Sequence, residues 1–180
     1  MSLPILGISA VSGTGKTTLL KKLIPLLKQQ GIRPGLIKHT HHQMDIDYPG
    51  KDSYELRKAG ASQVMVASRE RWALISETPE NSPELMALAQ KMSQETLDII
   101  LVEGFRQEPI PKIVLWRHGC TGTPHTLIDE YTLALASDTP ADGLAVSWLD
   151  INQPASIAEF IRQWWLSQRE KTGTTITKGS

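Results

Sequence analysis

The chain has 180 residues, 40% of them hydrophobic and 21% charged, and its 19 Lys and Arg offset 19 Asp and Glu. That length suits one domain, expected over 1–170, followed by a loose tail over 171–180. A formal net charge of zero argues against a general nucleic-acid binder or a polybasic membrane adherent, since both need surplus cations, and no apolar run approaches the ~20 residues that span a bilayer.

The opening MSLPILGISAV has no basic leader, and the single Cys120 can form no internal disulfide, so a reducing, cytoplasmic compartment is expected. Residues Ile5 to Val11 predict a buried strand. A helix follows from Lys16 to Gln30, with Leu19, Leu20, Leu23, Ile24 and Leu27 at helical spacing and Gly31 as its C-terminal stop. Pro25 lies inside it and predicts a kink or a two-part helix. Gly35 to His39 is a second strand, leading to a polar loop over Thr40 to Asp52 and a short helix from Ser53 to Lys58. Val64 to Ala67 and Trp72 to Ile75, separated by Ser-Arg-Glu-Arg, predict an antiparallel hairpin.

Farther on, Ser82 to Thr96 predicts a helix with Ser82 as N-cap and Pro83 at its first position. Leu97 to Val102 is an almost wholly apolar strand of the kind covered on both faces in a parallel sheet. Ile113 to Trp116, Leu133 to Ser137 and Ala145 to Leu149 add strands, and Ser156 to Gln168 makes an amphipathic closing helix. The final TGTTITKGS has little to bury. Core packing is the expectation for Trp116, Trp148, Trp164 and Trp165.

Four constellations carry chemistry. The first, Ala10-Val-Ser-Gly-Thr-Gly-Lys-Thr17, falls where a strand ends and a helix begins. Glycines there let backbone N–H groups turn inward around phosphate oxygens. Lys16 reaches terminal phosphates, and the Thr17 hydroxyl suits magnesium. Ala10 replaces the first glycine of the strict pattern, which is harmless if that position does not need positive φ. With this loop the predicted fold class is α/β, a P-loop NTPase-like, mostly parallel sheet flanked by helices with an added antiparallel hairpin.

The second is Asp98-Ile-Ile-Leu-Val-Glu103-Gly104-Phe105. Glu103 arrives at a strand's C-terminal end, where it either meets magnesium, directly or through water, or caps a neighbouring loop. Asp98, at the other end, reads as structural. The third is the segment from Lys38 to Asp47, with His39, His41, His42, Asp45 and Asp47. Its readings are a transition-metal site, acids that reach magnesium, or a solvated polar loop. The fourth is Ala136-Ser137-Asp138, where a carboxylate can accept from N1–H and the exocyclic amine of guanine, or simply form a turn before Thr139-Pro140.

The phosphate loop, KHTHH, PGKDSYELRKAGA and DIILVEGF occur in an order that closely resembles the molybdopterin-guanine dinucleotide biosynthesis adaptor family, MobB, from Ile5 to about Gln168. The resemblance implies a cytoplasmic GTP-binding protein, usually dimeric, a weak GTPase at most. It would assist a guanylyltransferase of MobA type that attaches a guanine nucleotide to molybdopterin. By matching segments, Gly13, Thr14, Gly15, Lys16, Thr17 and Thr18 would hold the phosphates of GTP, and Glu103 would stand near Mg2+ with Thr17. Asp47 and Asp52 match the acidic positions of the family's loop. No glutamine immediately follows the Glu103 strand end, and Arg106 and Gln107 nearby have no assigned role.

Two other readings compete. A GTP-dependent metallochaperone would use His39, His41 and His42, and a small-molecule kinase would use the same phosphate loop with an arginine-bearing lid. No lid segment stands out in the sequence.

Overall fold

A computed structural model of the chain describes residues 2–40, 47–78 and 83–173. The chain forms two compact units, a larger one of residues up to His39 together with those from Leu85 onward, and a smaller one, Thr40–Glu84. Six parallel strands make the sheet of the larger unit: β1 (Ile5–Ser9), β2 (Pro34–Lys38), β5 (Ile99–Glu103), β6 (Lys112–Trp116), β7 (Thr132–Ser137) and β8 (Ser147–Asp150), in the order β2-β5-β1-β6-β7-β8. The smaller unit holds α2 (Asp52–Lys58) and the antiparallel pair β3 (Gln63–Ala67) and β4 (Trp72–Ser76). This is the α/β architecture expected, with its added hairpin.

Both faces of the parallel sheet are covered, which is why β5 carries no polar residue before Glu103. On one face α1 (Lys16–Gln29) and α5 (Pro154–Gly173) pack Leu19, Leu23, Leu27, Ile157 and Ile161 onto Leu6, Ile8, Leu101 and Ile113. On the other, α3 (Leu85–Gln90) sets Leu85 and Ala89 over Ile100 and Val102. The single turn α4 (Pro124–Leu127) places Leu127 against Val114 and Leu135.

Four boundaries depart from expectation. Pro25 does not divide α1, which is continuous through it. Pro25 and Lys21 are both exposed, so the Lys21 carbonyl that loses its partner can turn to water, while buried leucines on either side pin the helix. The stop at Gly31 (φ 78) is as predicted, with the Ile32 N–H donating to Leu27 O and the Gly31 N–H to Lys28 O, each 3.0 Å.

The helix expected over 82–96 spans only Leu85–Gln90, so Pro83 precedes it; Ser82, its expected cap, lies outside the described residues. Leu85 and Ala89 complete one buried stripe. The next N–H groups, of Lys91 and Met92, already bond three residues back to Leu88 and Ala89, and the chain turns toward β5. α4 was not expected. Pro124 at its start and Thr126 Oγ1 accepting from the Thr123 N–H (3.2 Å) are its sequence cues. Finally, α5 runs through Gly173, so the tail expected from 171 begins inside a helix; residues 174–180 lie outside the described set.

Candidate functional site

The strand ends converge on one edge of the sheet. β1 is central, flanked by β5 and β6, and the chain leaves it toward β2 on one side while β6, β7 and β8 extend the other. Such a switch point is where open parallel sheets bind ligands. Between β1 and α1 the loop turns at Gly13 (φ 82) and Gly15 (φ 98), and a Cβ added at either would meet nothing within 4 Å. Glycine serves here for its backbone conformation, and the space above it is open.

Lys16 folds over the loop, its Nζ donating to Ala10 O and Val11 O at 3.0 Å each. Burial holds its ammonium below the ordinary lysine range. The Glu103 carboxylate opposes that shift, and the Lys38 and Arg106 cations add to it. Thr14 is only 1% exposed; its hydroxyl donates to Val11 O (3.0 Å) and lies 3.6 Å from Cys120 Sγ, so it locks the loop's shape. Thr17 and Thr18 are exposed at the start of α1.

Glu103 is 7% exposed at the end of β5. Its Oε1 accepts from the Thr17 hydroxyl at 3.5 Å, and its Oε2 lies 3.7 Å from Lys38 Nζ. The structure therefore brings Lys16 and Thr17, adjacent at the start of α1, together with Glu103 from the end of β5. His39, just past β2, donates its N–H to Glu103 O (2.8 Å), and its ring centroid lies 4.6 Å from that of Phe105. A cleft of 410 Å³ opens beside the loop, lined by Gly13, Gly15, Thr18, Arg117, Asn152 and Pro154 among others.

Asp138 follows β7, and both of its carboxylate oxygens accept from the His118 N–H, each at 3.1 Å. Asp98 has the structural place expected of it, at the base of β5. It accepts from the Arg33 N–H, Nε and Nη2 at 2.8, 2.9 and 3.0 Å. Asp47 and Asp52 belong to the smaller unit. Asp47 is 8% exposed, with Oδ1 accepting from Arg57 Nη2 at 2.7 Å, and Asp52 is exposed in the first turn of α2. His41, His42 and Asp45 lie outside the described residues. Among those described, no three His, Cys, Asp or Glu side chains cluster as a metal site would need, and no helix is long and apolar enough to cross a membrane.

Sequence reading overlooked Lys38 and Lys112. Lys112 is 2% exposed within an otherwise apolar strand. A charge at such a position is itself the signal, since a buried ammonium must be fully partnered. Trp165 is buried as expected, whereas Trp148 is 44% exposed and anchored by its indole N–H to Ser137 Oγ (3.0 Å).

A glycine-rich loop from the central strand to a helix, with a lysine folded over it and a carboxylate facing the following threonine, defines a protein of P-loop type. Residues 5–138 match the family model of MobB, molybdopterin guanine dinucleotide synthesis protein B. The chain belongs to this family. Similar chains include the molybdopterin-guanine dinucleotide biosynthesis adapter protein of Escherichia coli K12, 58% identical over 92% of this chain and 95% of that one. The protein of the same description in Haemophilus influenzae is 50% identical over 90% and 89%. A crystal structure of molybdopterin-guanine biosynthesis protein B superposes with a TM-score of 0.69 at 26% identity, covering 89% of this chain and 99% of that one. A MobB homologue from Bacillus stearothermophilus, 22% identical, shares the fold with a TM-score of 0.70.

Proposed function

We propose that the chain binds GTP with Mg2+ and acts as an accessory protein when a MobA-type guanylyltransferase attaches a guanine nucleotide to molybdopterin. The observation that carries this reading is the Thr17 hydroxyl facing the Glu103 carboxylate at 3.5 Å, beside a lysine held over an open glycine loop. Both oxygens are hard donors of the kind magnesium takes. Bound there, the ion would offset charge on the phosphates. The neutral carbonyls of Ala10 and Val11 now occupied by Lys16 are weaker acceptors than phosphate oxygens, so a nucleotide competes well for the ammonium.

The 410 Å³ cleft continues from the loop past Thr18 to Arg117 and Asn152, which is room for a nucleoside. Asp138 suits guanine because N1–H and the exocyclic amine are both donors. Hydrolysis is weak at most in this reading. The names of the relatives, as biosynthesis adapters, support the accessory role. A homodimer is part of the proposal, and Met65, Val66, Trp72 and Leu74, exposed on the hairpin, offer apolar surface for it.

Equilibrium binding of GTP to the full chain, with and without Mg2+, tests the reading. Lys16→Ala is expected to remove most nucleotide affinity while leaving the fold intact, and undiminished binding would defeat the site. Capture of the guanylyltransferase with and without GTP tests the accessory role, and no interaction in either state would refute it. Sedimentation of a monomer at working concentration would refute the dimer.

A further inference from the structure

The nucleotide reading leaves a cation beside the loop unused. Arg106 lies three residues beyond Glu103 and is exposed, and its guanidinium makes no hydrogen bond or ion pair with any described residue. The chain reaches it through a strained turn. Gly104 has φ 98, and Phe105, at φ 42, is the one non-glycine residue with positive φ among those described. Such a conformation is unfavourable for a phenylalanine and persists only where the surroundings hold it.

The surroundings do hold it, on both sides. Phe105 packs with Ile100 and Val102 under α3 and against the His39 ring. Past the turn, Lys112 Nζ donates to Arg106 O and Glu108 O at 3.0 Å each and pairs with Asp129 Oδ2 at 2.9 Å. All three of its protons are thus engaged, so Lys112 has none left for a ligand and serves to fix the backbone at Arg106. Gly7 on β1 makes way for it, since a Cβ there would stand 3.0 Å from Lys112 Cβ.

Arg106 follows the end of β5, which pairs with the end of β1 at Glu103 and Ile8. It lines a 330 Å³ pocket with Ser9, the residue immediately before Ala10. Ser9 is 6% exposed, and its hydroxyl has no partner in the described structure. The Arg106 charge also contributes to the lowered proton affinity of Lys16, after burial and against Glu103. Like charges gathered at one edge of the sheet favour an anion there.

We propose that Arg106 binds the terminal phosphate of a nucleoside triphosphate, and that Lys112 with Asp129 is the clamp that positions it. The proposal rests on the nucleotide reading of the loop and goes beyond it. A guanidinium fork matches two oxygens of one phosphate, and a diphosphate has no group at that place. Arg106 is therefore what distinguishes triphosphate from diphosphate.

The test compares binding of GDP and of a non-hydrolysable GTP analogue, each with Mg2+, to the full chain and to Arg106→Ala, Arg106→Lys and Lys112→Met. Arg106→Ala is expected to weaken the triphosphate analogue about 10- to 100-fold, the scale of one charge-assisted contact, with GDP changed less than about twofold. Arg106→Lys restores part of the loss. Lys112→Met, checked for folding by circular dichroism, shifts the same ratio in the same direction, which a merely structural role would not. Equal losses for both nucleotides, or none, overturn the proposal while the loop assignment stands. Failure of the unaltered chain to bind either nucleotide overturns both.

Discussion

Three glycines of the larger unit separate backbone strain from steric contact, and alanine at each gives a graded prediction. Gly31 has φ 78 with nothing within 4 Å of an added Cβ. Gly31→Ala therefore carries only the left-handed penalty, roughly 1–2 kcal/mol, less about 0.4–1 kcal/mol gained by restricting the unfolded chain. A net loss of about 1 kcal/mol is expected. Gly35 is the reverse case. Its φ is ordinary, and its Cβ would come within 2.7 Å of Leu97 Cδ1 and Met92 Cε. These are ends of side chains, and methionine adapts, so Gly35→Ala should cost no more than about 1 kcal/mol.

Gly104 combines both penalties. Its φ is 98, and a Cβ would stand 2.7 Å from His39 Cβ and 3.1 Å from His39 O. Neither atom can rotate away, because the His39 N–H is tied to Glu103 O at 2.8 Å. Strain plus displaced backbone makes the expected cost about 3 kcal/mol. Urea unfolding of the three variants beside the unaltered chain measures the differences through their midpoints at common slope. A cost for Gly104→Ala within about 0.5 kcal/mol of that for Gly31→Ala would refute the claim that β2 and β5 are locked together at His39.

Two further outcomes follow from single carboxylates. The hydrogen bonds from the Arg33 side chain hold Asp98 below the usual carboxylate range, against its burial, with the Arg33 backbone N–H assisting. A depressed folded pKa contributes stability that is present above the unfolded value, about 3.9, and is lost as pH falls through the folded one. Asp98→Asn should thus cost about 1 kcal/mol at neutral pH, and the gap to the unaltered chain should close below about pH 4; a pH-independent gap in urea titrations would count against it. Asp138→Asn is expected to lower the preference for GTP over ATP in competition binding by about 10-fold or more. An unaltered ratio would confine Asp138 to holding the His118 N–H.

The phosphate loop was legible because its chemistry is local. Gly13, Gly15, Lys16 and Thr17 are consecutive or nearly so, and their spacing alone fixes where backbone N–H groups, ammonium and hydroxyl must stand. The six parallel strands and the hairpin were legible for a similar reason, since apolar runs bounded by turn residues report burial directly. Helix ends were less so. The 82–96 segment has helical composition throughout, yet its packing comes from Leu85, Leu88, Ala89 and Met92, and the polar residues from Ser93 to Thr96 are exposed with no apolar surface to hold them. In α1 the rule against internal proline gave way because the lost hydrogen bond falls on the wet side.

The sequence by itself determined the class of fold and the family, because both rest on short local patterns and on the order in which they follow one another along the chain. It did not determine that Glu103 faces Thr17, that Asp138 holds the His118 N–H, or that Lys112 secures the turn leading to Arg106. Those pairs are separated by 86, 20 and 6 residues. The tertiary structure decided them, because a parallel sheet aligns the ends of strands distant in sequence, and a buried charge such as Lys112 takes its partners from whichever segments the packing brings within reach.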